Sequence, residues 1–171
     1  SALEVLDRVF SWDYRDSSYL ARRRSTTIVS LACGDPDPTC FCTSLGGSPT
    51  GARGADLLLT PLEDVYYVEI VTGRGRALVD EYGGFFQHST AELDHQRVQF
   101  GERAEARIAR HIDTSTLPGH LQFDSPVWQK LTEQCIDCGI CTFLCPTCHC
   151  FDIQDEGRPE SGVRVRLWDS C

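Results

Sequence analysis

The sequence predicts an α+β fold in two parts: a strand-rich mixed α/β unit over residues 1–120, then a small cysteine-rich module over residues 121–171. Three observations carry this. Short β-branched and apolar runs crowd the first half (Thr26–Ala32, Leu57–Thr60, Val65–Val71). A Pro-Gly loop, Leu117-Pro-Gly-His120, closes that half. Beyond it, Cys135, Cys138, Cys141 and Cys145 follow one another at C-x2-C-x2-C-x3-C spacing, with Pro146 immediately after.

Taken in order, residues 2–10 place Ala2, Leu3, Val5, Leu6, Val9 and Phe10 at helical spacing, which predicts a short amphipathic helix. Residues 11–24 are polar and aromatic, and Arg22-Arg23-Arg24 reads as a solvated face. Thr26–Ala32 predicts a buried strand that delivers Cys33 at its end. A proline-rich turn carries Cys40 and Cys42. The glycine-rich stretch Leu45–Gly54 follows, leading into the strand Leu57–Thr60 and not into a helix, so it lacks the context of a nucleotide loop. Val65–Val71 and Arg76–Val79 flank Thr72-Gly-Arg-Gly75, which reads as a hairpin.

Ser89 with Glu92 forms a capping-box pattern for a helix over Thr90–His111, with Leu93, Val98, Ala104, Ile108 and Ile112 on its inner side and Gly101 as a weak point. His88, His95, His111 and His120 are scattered and read as surface or helix-end residues. Ser125-Pro126 predicts a helix start, with Val127, Trp128 and Leu131 on its buried side. Asp155–Ser161 reads as an exposed acidic turn. Gly162–Trp168 alternates as a strand, Val163, Val165 and Leu167 on one face and Arg164, Arg166 and Trp168 on the other.

Composition narrows the function classes. The 171 residues include ten cysteines, grouped at 33/40/42, at 135–150 and at 171; such clustering argues for metal ligation over a dispersed disulfide framework, and for a reducing, cytoplasmic setting. A net charge of -9 disfavours nucleic acid or an anionic membrane as partner, because a phosphate backbone is bound by clustered cations. No apolar run approaches the roughly 20 residues of a membrane helix, so no membrane insertion is expected. The chain contains no methionine, starts inside a helical pattern and stops on Cys171, and so reads as a segment of something longer.

The four-thiol run is the spacing with which bacterial ferredoxins hold iron-sulfur clusters. A thiol every third residue lets a short loop wrap a bulky cubane while backbone N–H groups point at its sulfurs; Gly139 and Thr142 allow that close approach. The module 121–171 is therefore expected to be ferredoxin-like, with Cys135, Cys138, Cys141 and Cys145 as iron ligands. In a two-cluster arrangement the fourth thiol, Cys145, serves the other cluster. Zinc is the structural rival, but zinc sites usually space two C-x2-C pairs a dozen or more residues apart. Cys148, His149 and Cys150 stand just beyond the run as alternative ligands, neighbours of the ligands or simply buried small residues, and Cys171 is a further thiol of the same kind. Cys33, Cys40 and Cys42 form a third candidate group: a turn can return the chain beside Cys33, and alternate residues of an extended Cys40-Phe-Cys42 share a face. The competing account is core packing and loop thiols.

Together, Thr39-Cys-Phe-Cys42 after a strand, the run continuing as Cys145-Pro-Thr-Cys-His-Cys-Phe-Asp152, and Arg164-Val-Arg-Leu-Trp-Asp-Ser-Cys171 resemble the iron-sulfur beta subunit of cytoplasmic sulfhydrogenases. These are NAD(P)-linked nickel-iron hydrogenases with sulfur reductase activity, and the A subunit of anaerobic sulfite reductase is similar. The resemblance implies one or more [4Fe-4S] clusters in an electron-transfer subunit between a flavin subunit that handles NAD(P)H and hydrogenase or sulfur- or sulfite-reducing subunits. The family has a second C-x2-C-x2-C-x3-C-P run downstream and a cysteine just upstream, and neither lies within these residues. Two other classes stand beside the relay: a zinc-stabilised interaction module, and a subunit acting directly on sulfur species through an exposed thiol such as Cys148 or Cys150.

Overall fold

The computed structural model describes residues 1–170; Cys171, one of the candidate ligands, lies outside the described residues. The elements in chain order are α1 (Ala2–Val9), α2 (Ser17–Ser25), β1 (Val29–Leu31), β2 (Leu57–Pro61), β3 (Tyr66–Ile70), α3 (Gly73–Glu81), α4 (Ala91–Ala106), α5 (Leu117–His120), α6 (Val127–Thr132), α7 (Ile140–Phe143), β4 (Phe151–Arg158) and β5 (Ser161–Trp168). Helices and strands are mixed without βαβ repetition, which is the α+β arrangement expected.

The chain forms two compact units, Thr26–Val127 and the discontinuous pair of segments Ser1–Ser25 with Trp128–Cys171. The sequence pattern suggested one boundary near residue 120; the units instead meet at 25/26 and 127/128, so the first 25 residues fold with the cysteine-rich segment.

The Thr26–Val127 unit is built on a three-stranded sheet of order β1-β2-β3, β1 parallel and β3 antiparallel to β2. The run Leu57-Leu-Leu-Thr60 is apolar because it forms the central strand: among the described residues Leu57, Leu58 and Thr60 are the largest fully buried side chains. The strand expected to be buried, Thr26–Ala32, shortens to the edge strand β1, where Val29 and Leu31 are exposed and only Ala32 is buried. Asp56, just before β2, ties the sheet together: its carboxylate accepts from Ile28 N–H at 2.8 Å and from the Thr72 hydroxyl.

The hairpin expected around Thr72–Gly75 does not form. The Thr72 hydroxyl accepts from Gly75 N–H at 3.3 Å and opens α3, so Arg76–Val79 is helical. Gly75 is required there, since a Cβ would fall onto the Asp56 carbonyl oxygen and within 2.9 Å of Leu57 Cδ2. The long helix α4 is capped by Thr90, which accepts from Leu93 N–H, while Ser89 is diverted to Asp94. It ends at Ala106, five residues short of His111, and Ala104 and Ile108 reach the core whereas Val98 is exposed. Gly101 is not a break: a Cβ there would meet Thr50, so its absence lets that loop approach.

In the other unit, α1 is closed by the Ser1/Glu4 capping box and buries Leu6. The stretch read as merely polar, residues 11–24, contains α2, whose start is fixed by Tyr19 N–H donating to the Asp16 carboxylate at 2.8 Å. Phe10 stacks on Tyr19 with ring centroids 4.4 Å apart, and Asp7 accepts from the Tyr19 hydroxyl at 2.8 Å and from Arg23. β4 and β5 form an antiparallel hairpin in which Phe151 pairs with Trp168 and Asp155 with Arg164. The acidic stretch expected to be a turn is thus largely strand. Trp168 rests against Phe10 at 5.8 Å and Arg166 bridges to Asp16, while on the other face Val165 is the one half-buried residue of β5. Trp128 and Leu131 of α6, expected to be buried, are exposed.

Candidate iron-sulfur centre

The four-thiol run occupies a tightly curled loop made by short-range hydrogen bonds. Cys135 N–H donates to Thr132 O at 3.0 Å as α6 ends. Two residues then take left-handed backbone, Asp137 at φ 55° and Gly139 at φ 71°, which turns the chain sharply on either side of Cys138. α7 carries Cys141, and Cys145 follows with its N–H bonded to Thr142 O at 3.3 Å. All four thiols are free and exposed. Beside Cys138 lies an open hollow of about 470 Å³, lined by Gly139, Ile140, Thr142, Phe143 and Leu144.

Cys145 has the most developed surroundings. Cys148 N–H donates to Cys145 O at 3.1 Å, closing a β-turn with Pro146 at its second position, where a fixed φ suits the turn. This turn folds Thr147 back so that its Oγ1 stands 3.2 Å from Cys145 Sγ. The Thr147 hydroxyl first, then the Thr147 and Cys148 N–H groups, hold the Cys145 thiol below its ordinary pKa. Donors converging on a sulfur favour the thiolate, the form in which cysteine ligates metal. Downstream, Cys148 Sγ donates to Asp169 O at 3.4 Å, Asp169 N–H to Cys150 O at 3.0 Å, and His149 Nδ1 to Thr147 O at 3.2 Å. These bonds attach the Cys148–Cys150 segment to the end of the hairpin. The sequence offered no sign of Thr147 or Asp169 beyond their nearness to cysteines.

The two arginines that share a face of β5 are engaged with carboxylates. Arg164 makes a two-pronged pair with Asp155 at 2.6 and 2.8 Å, and Arg166 bridges to Asp16 while lying 4.9 Å over the Phe151 ring.

Cys33, Cys40 and Cys42 lie in the Thr26–Val127 unit. Cys33 is exposed at the end of β1, its N–H bonded to Pro49 O at 2.9 Å. Asp37 accepts from the Thr39 hydroxyl and N–H, which lowers its pKa and forms the turn before Cys40. Cys42 starts a one-turn 3-10 helix ended by Gly46 at φ 72°. The segment that follows α4 grips this loop: Arg107 donates to Gly34 O at 3.2 Å and to Asp35 at 2.9 Å, Arg110 lies 5.9 Å over the Phe41 ring, and Ile112 N–H donates to the Ser44 hydroxyl at 2.9 Å.

Among the described residues, no three His, Cys, Asp or Glu side chains are gathered closely enough to hold one metal ion. A cubane sets another requirement, since it takes each thiolate on a different iron and so keeps the four sulfurs apart. The donor set fits that chemistry: accessible thiols on one curled loop, a hollow lined by Gly139, Ile140, Thr142, Phe143 and Leu144 beside Cys138, and N–H and O–H donors aimed at the Cys145 sulfur.

Comparisons with known proteins agree. Residues 134–171 match a family described as a 4Fe-4S dicluster domain. Across 172 aligned residues, covering 99% of this chain, the sequence is 33% identical to Sulfhydrogenase 2 subunit beta of Pyrococcus furiosus. The chain spans about half, 51%, of that relative's length. No solved structure matches the chain. The thiol motifs that carry the resemblance thus fall in a chain that is similar over nearly its whole length to part of a sulfhydrogenase beta subunit, and the run Cys135–Cys145 lies inside the region that matches a 4Fe-4S dicluster domain.

Proposed function

We propose that this chain is an electron-transfer subunit in which Cys135, Cys138, Cys141 and Cys145 are iron ligands. The observation that carries the reading is the Cys145-Pro-Thr-Cys148 turn, which aims hydrogen-bond donors at a free thiol inside the matched dicluster region. When bound, a [4Fe-4S] cluster supplies reversible one-electron storage. The residues hold and shape that group. Gly139 and Asp137 curl the backbone around Cys138, and the Pro146 turn presents Cys145 to a cluster other than the one held by the first three thiols. Ile136, Ile140, Phe143 and Leu144 surround the thiols with apolar surface, which lowers the local dielectric once a partner covers it.

Cys33, Cys40 and Cys42 contribute to a further iron-sulfur site, its remaining position taken by another thiol or by solvent. The name of the relative suggests a sulfhydrogenase-type assembly, in which this chain passes electrons between a flavin subunit handling NAD(P)H and hydrogenase or sulfur-reducing subunits. Among the described residues no helix is long and apolar enough to cross a membrane. A cytoplasmic setting accords with none of the nine described cysteines being in a disulfide.

An anaerobic iron and sulfide count with EPR tests this. The expected result is that Cys138→Ala loses a whole cluster's iron, while Cys33→Ala/Cys40→Ala/Cys42→Ala loses a separate share and leaves the main signal. A colourless protein containing zinc, or Cys138→Ala with the parent's iron and EPR, would overturn the reading. Parent iron in the triple variant would remove the N-terminal site alone.

A further inference from the structure

We propose that Thr147 sets the reduction potential of the group held by Cys145, by donating its hydroxyl hydrogen to the Cys145 sulfur. This rests on the reading of Cys145 as a ligand. A ligating cysteine is a thiolate with no proton to give, so across the 3.2 Å between Cys145 Sγ and Thr147 Oγ1 only the hydroxyl can donate. Other threonines of the module use their hydroxyls differently: Thr132 donates to Trp128 O and Gln129 O, and Thr142 to Gly139 O, the usual back-bonding to a carbonyl within the same turn. Thr147 is aimed at sulfur because its backbone is held on both sides. Before it, the Pro146 turn is closed by Cys148 N–H on Cys145 O. After it, His149 Nδ1 holds the Thr147 carbonyl, and the Cys148 thiol and Cys150 carbonyl are bonded to Asp169.

The electrostatic consequence has a definite sign. Reduction brings in one electron from an external one-electron donor, with no bond made or broken, and spreads the added negative charge over the sulfurs. A hydrogen bond to a ligand sulfur is stronger when that sulfur is more negative, so it stabilises the reduced state and raises the potential. Thr147 is thus a positioning and tuning residue. It touches the ligand and not the iron.

The test is an EPR-monitored potentiometric titration of the whole chain, prepared anaerobically, with dithionite as reductant. Thr147→Val and Thr147→Ala both remove the hydroxyl at different side-chain sizes, and Thr147→Ser retains it. The expected result is that Val and Ala variants keep the parent's iron and EPR line shape but titrate at a more negative potential, while the Ser variant titrates with the parent. If Val and Ala titrate at the parent's potential, or if Ser shifts as far as Val, the proposal is overturned. Cys145→Ala distinguishes the two levels: retained iron and signals overturn the ligand reading and this proposal with it, whereas unchanged midpoints in a protein that needs Cys145 for its iron overturn this proposal alone.

Discussion

The two cysteine-bearing loops are held by different kinds of force. The segment Cys33–Cys42 is fastened by residues far along the chain: Arg107 and Ile112 bond to Gly34, Asp35 and Ser44, and the Phe100 ring packs against Gly34 so closely that a Cβ would stand 2.6 Å from its edge. Its frame is a buried strand, β2. The loop 135–147 is held by hydrogen bonds within three or four residues, and its apolar side chains, Ile136 at 85% and Phe143 at 79% exposure, have no core to enter. A loop of the first kind is shaped by its domain. One of the second kind depends on what it binds, since a metal group supplies the long-range links that packing does not.

The largest effect that follows is on metal removal. Anaerobic chelation of iron should raise amide hydrogen exchange across residues 135–150 by orders of magnitude while β2 amides stay protected; equal protection in both states would break the comparison. Within the packed frame, Leu58→Ala should cost about 2–5 kcal/mol, read from urea unfolding, because it opens a cavity in the central strand. The corresponding change in the hairpin, Leu167→Ala, should cost less than about 1 kcal/mol, Leu167 being 44% exposed.

A smaller effect concerns the helix pair that supports the hairpin. Burial and the Asp7 carboxylate push the Tyr19 hydroxyl up to about 12. The unfolded phenol ionises near 10, so this stability is complete below pH 10 and is lost as pH rises toward 12. Tyr19→Phe should keep the Phe10 stacking, cost roughly 1 kcal/mol and abolish that alkaline decline, as followed by tyrosinate absorbance. On the acid side, Arg166 followed by the Tyr19 N–H holds the Asp16 carboxyl below 3.8. Its contribution is complete above that value and is lost as pH falls through the lower folded-state pKa; Asp16→Asn should remove this dependence from acid unfolding curves. The smallest change in stability belongs to Arg107→Ala. Its exposed pair with Asp35 is worth about 0–1 kcal/mol, yet alkylation of Cys33, Cys40 and Cys42 should become measurably faster in the folded protein.

Some of this was legible in the order of residues alone. The four-thiol run, α1, the strand at Leu57–Thr60 and β5 all depend on neighbours within a few positions, and local patterns record them directly. α2 escaped because its Arg-rich sequence has no apolar stripe; what makes it helical is the Asp16 cap and the Phe10, Asp7 and Tyr19 contacts from another helix. The glycines at 73 and 75 read as a turn, whereas Gly75 is glycine because the Asp56 carbonyl occupies the space of its side chain. β4 looked like a loop because its charges have no partners until Arg164 lies across the ladder from Asp155.

The sequence by itself therefore determined which thiols are the candidate ligands, since metal-binding loops are short and their spacing must match the size of what they hold. Tertiary structure alone decided that the first 25 residues fold with the cysteine-rich segment, that the arginines of β5 are spent on carboxylates, and that Thr147 turns to the Cys145 sulfur. Each of those outcomes is a competition among partners brought together by folding, and the order of residues along a chain does not record which partner arrives.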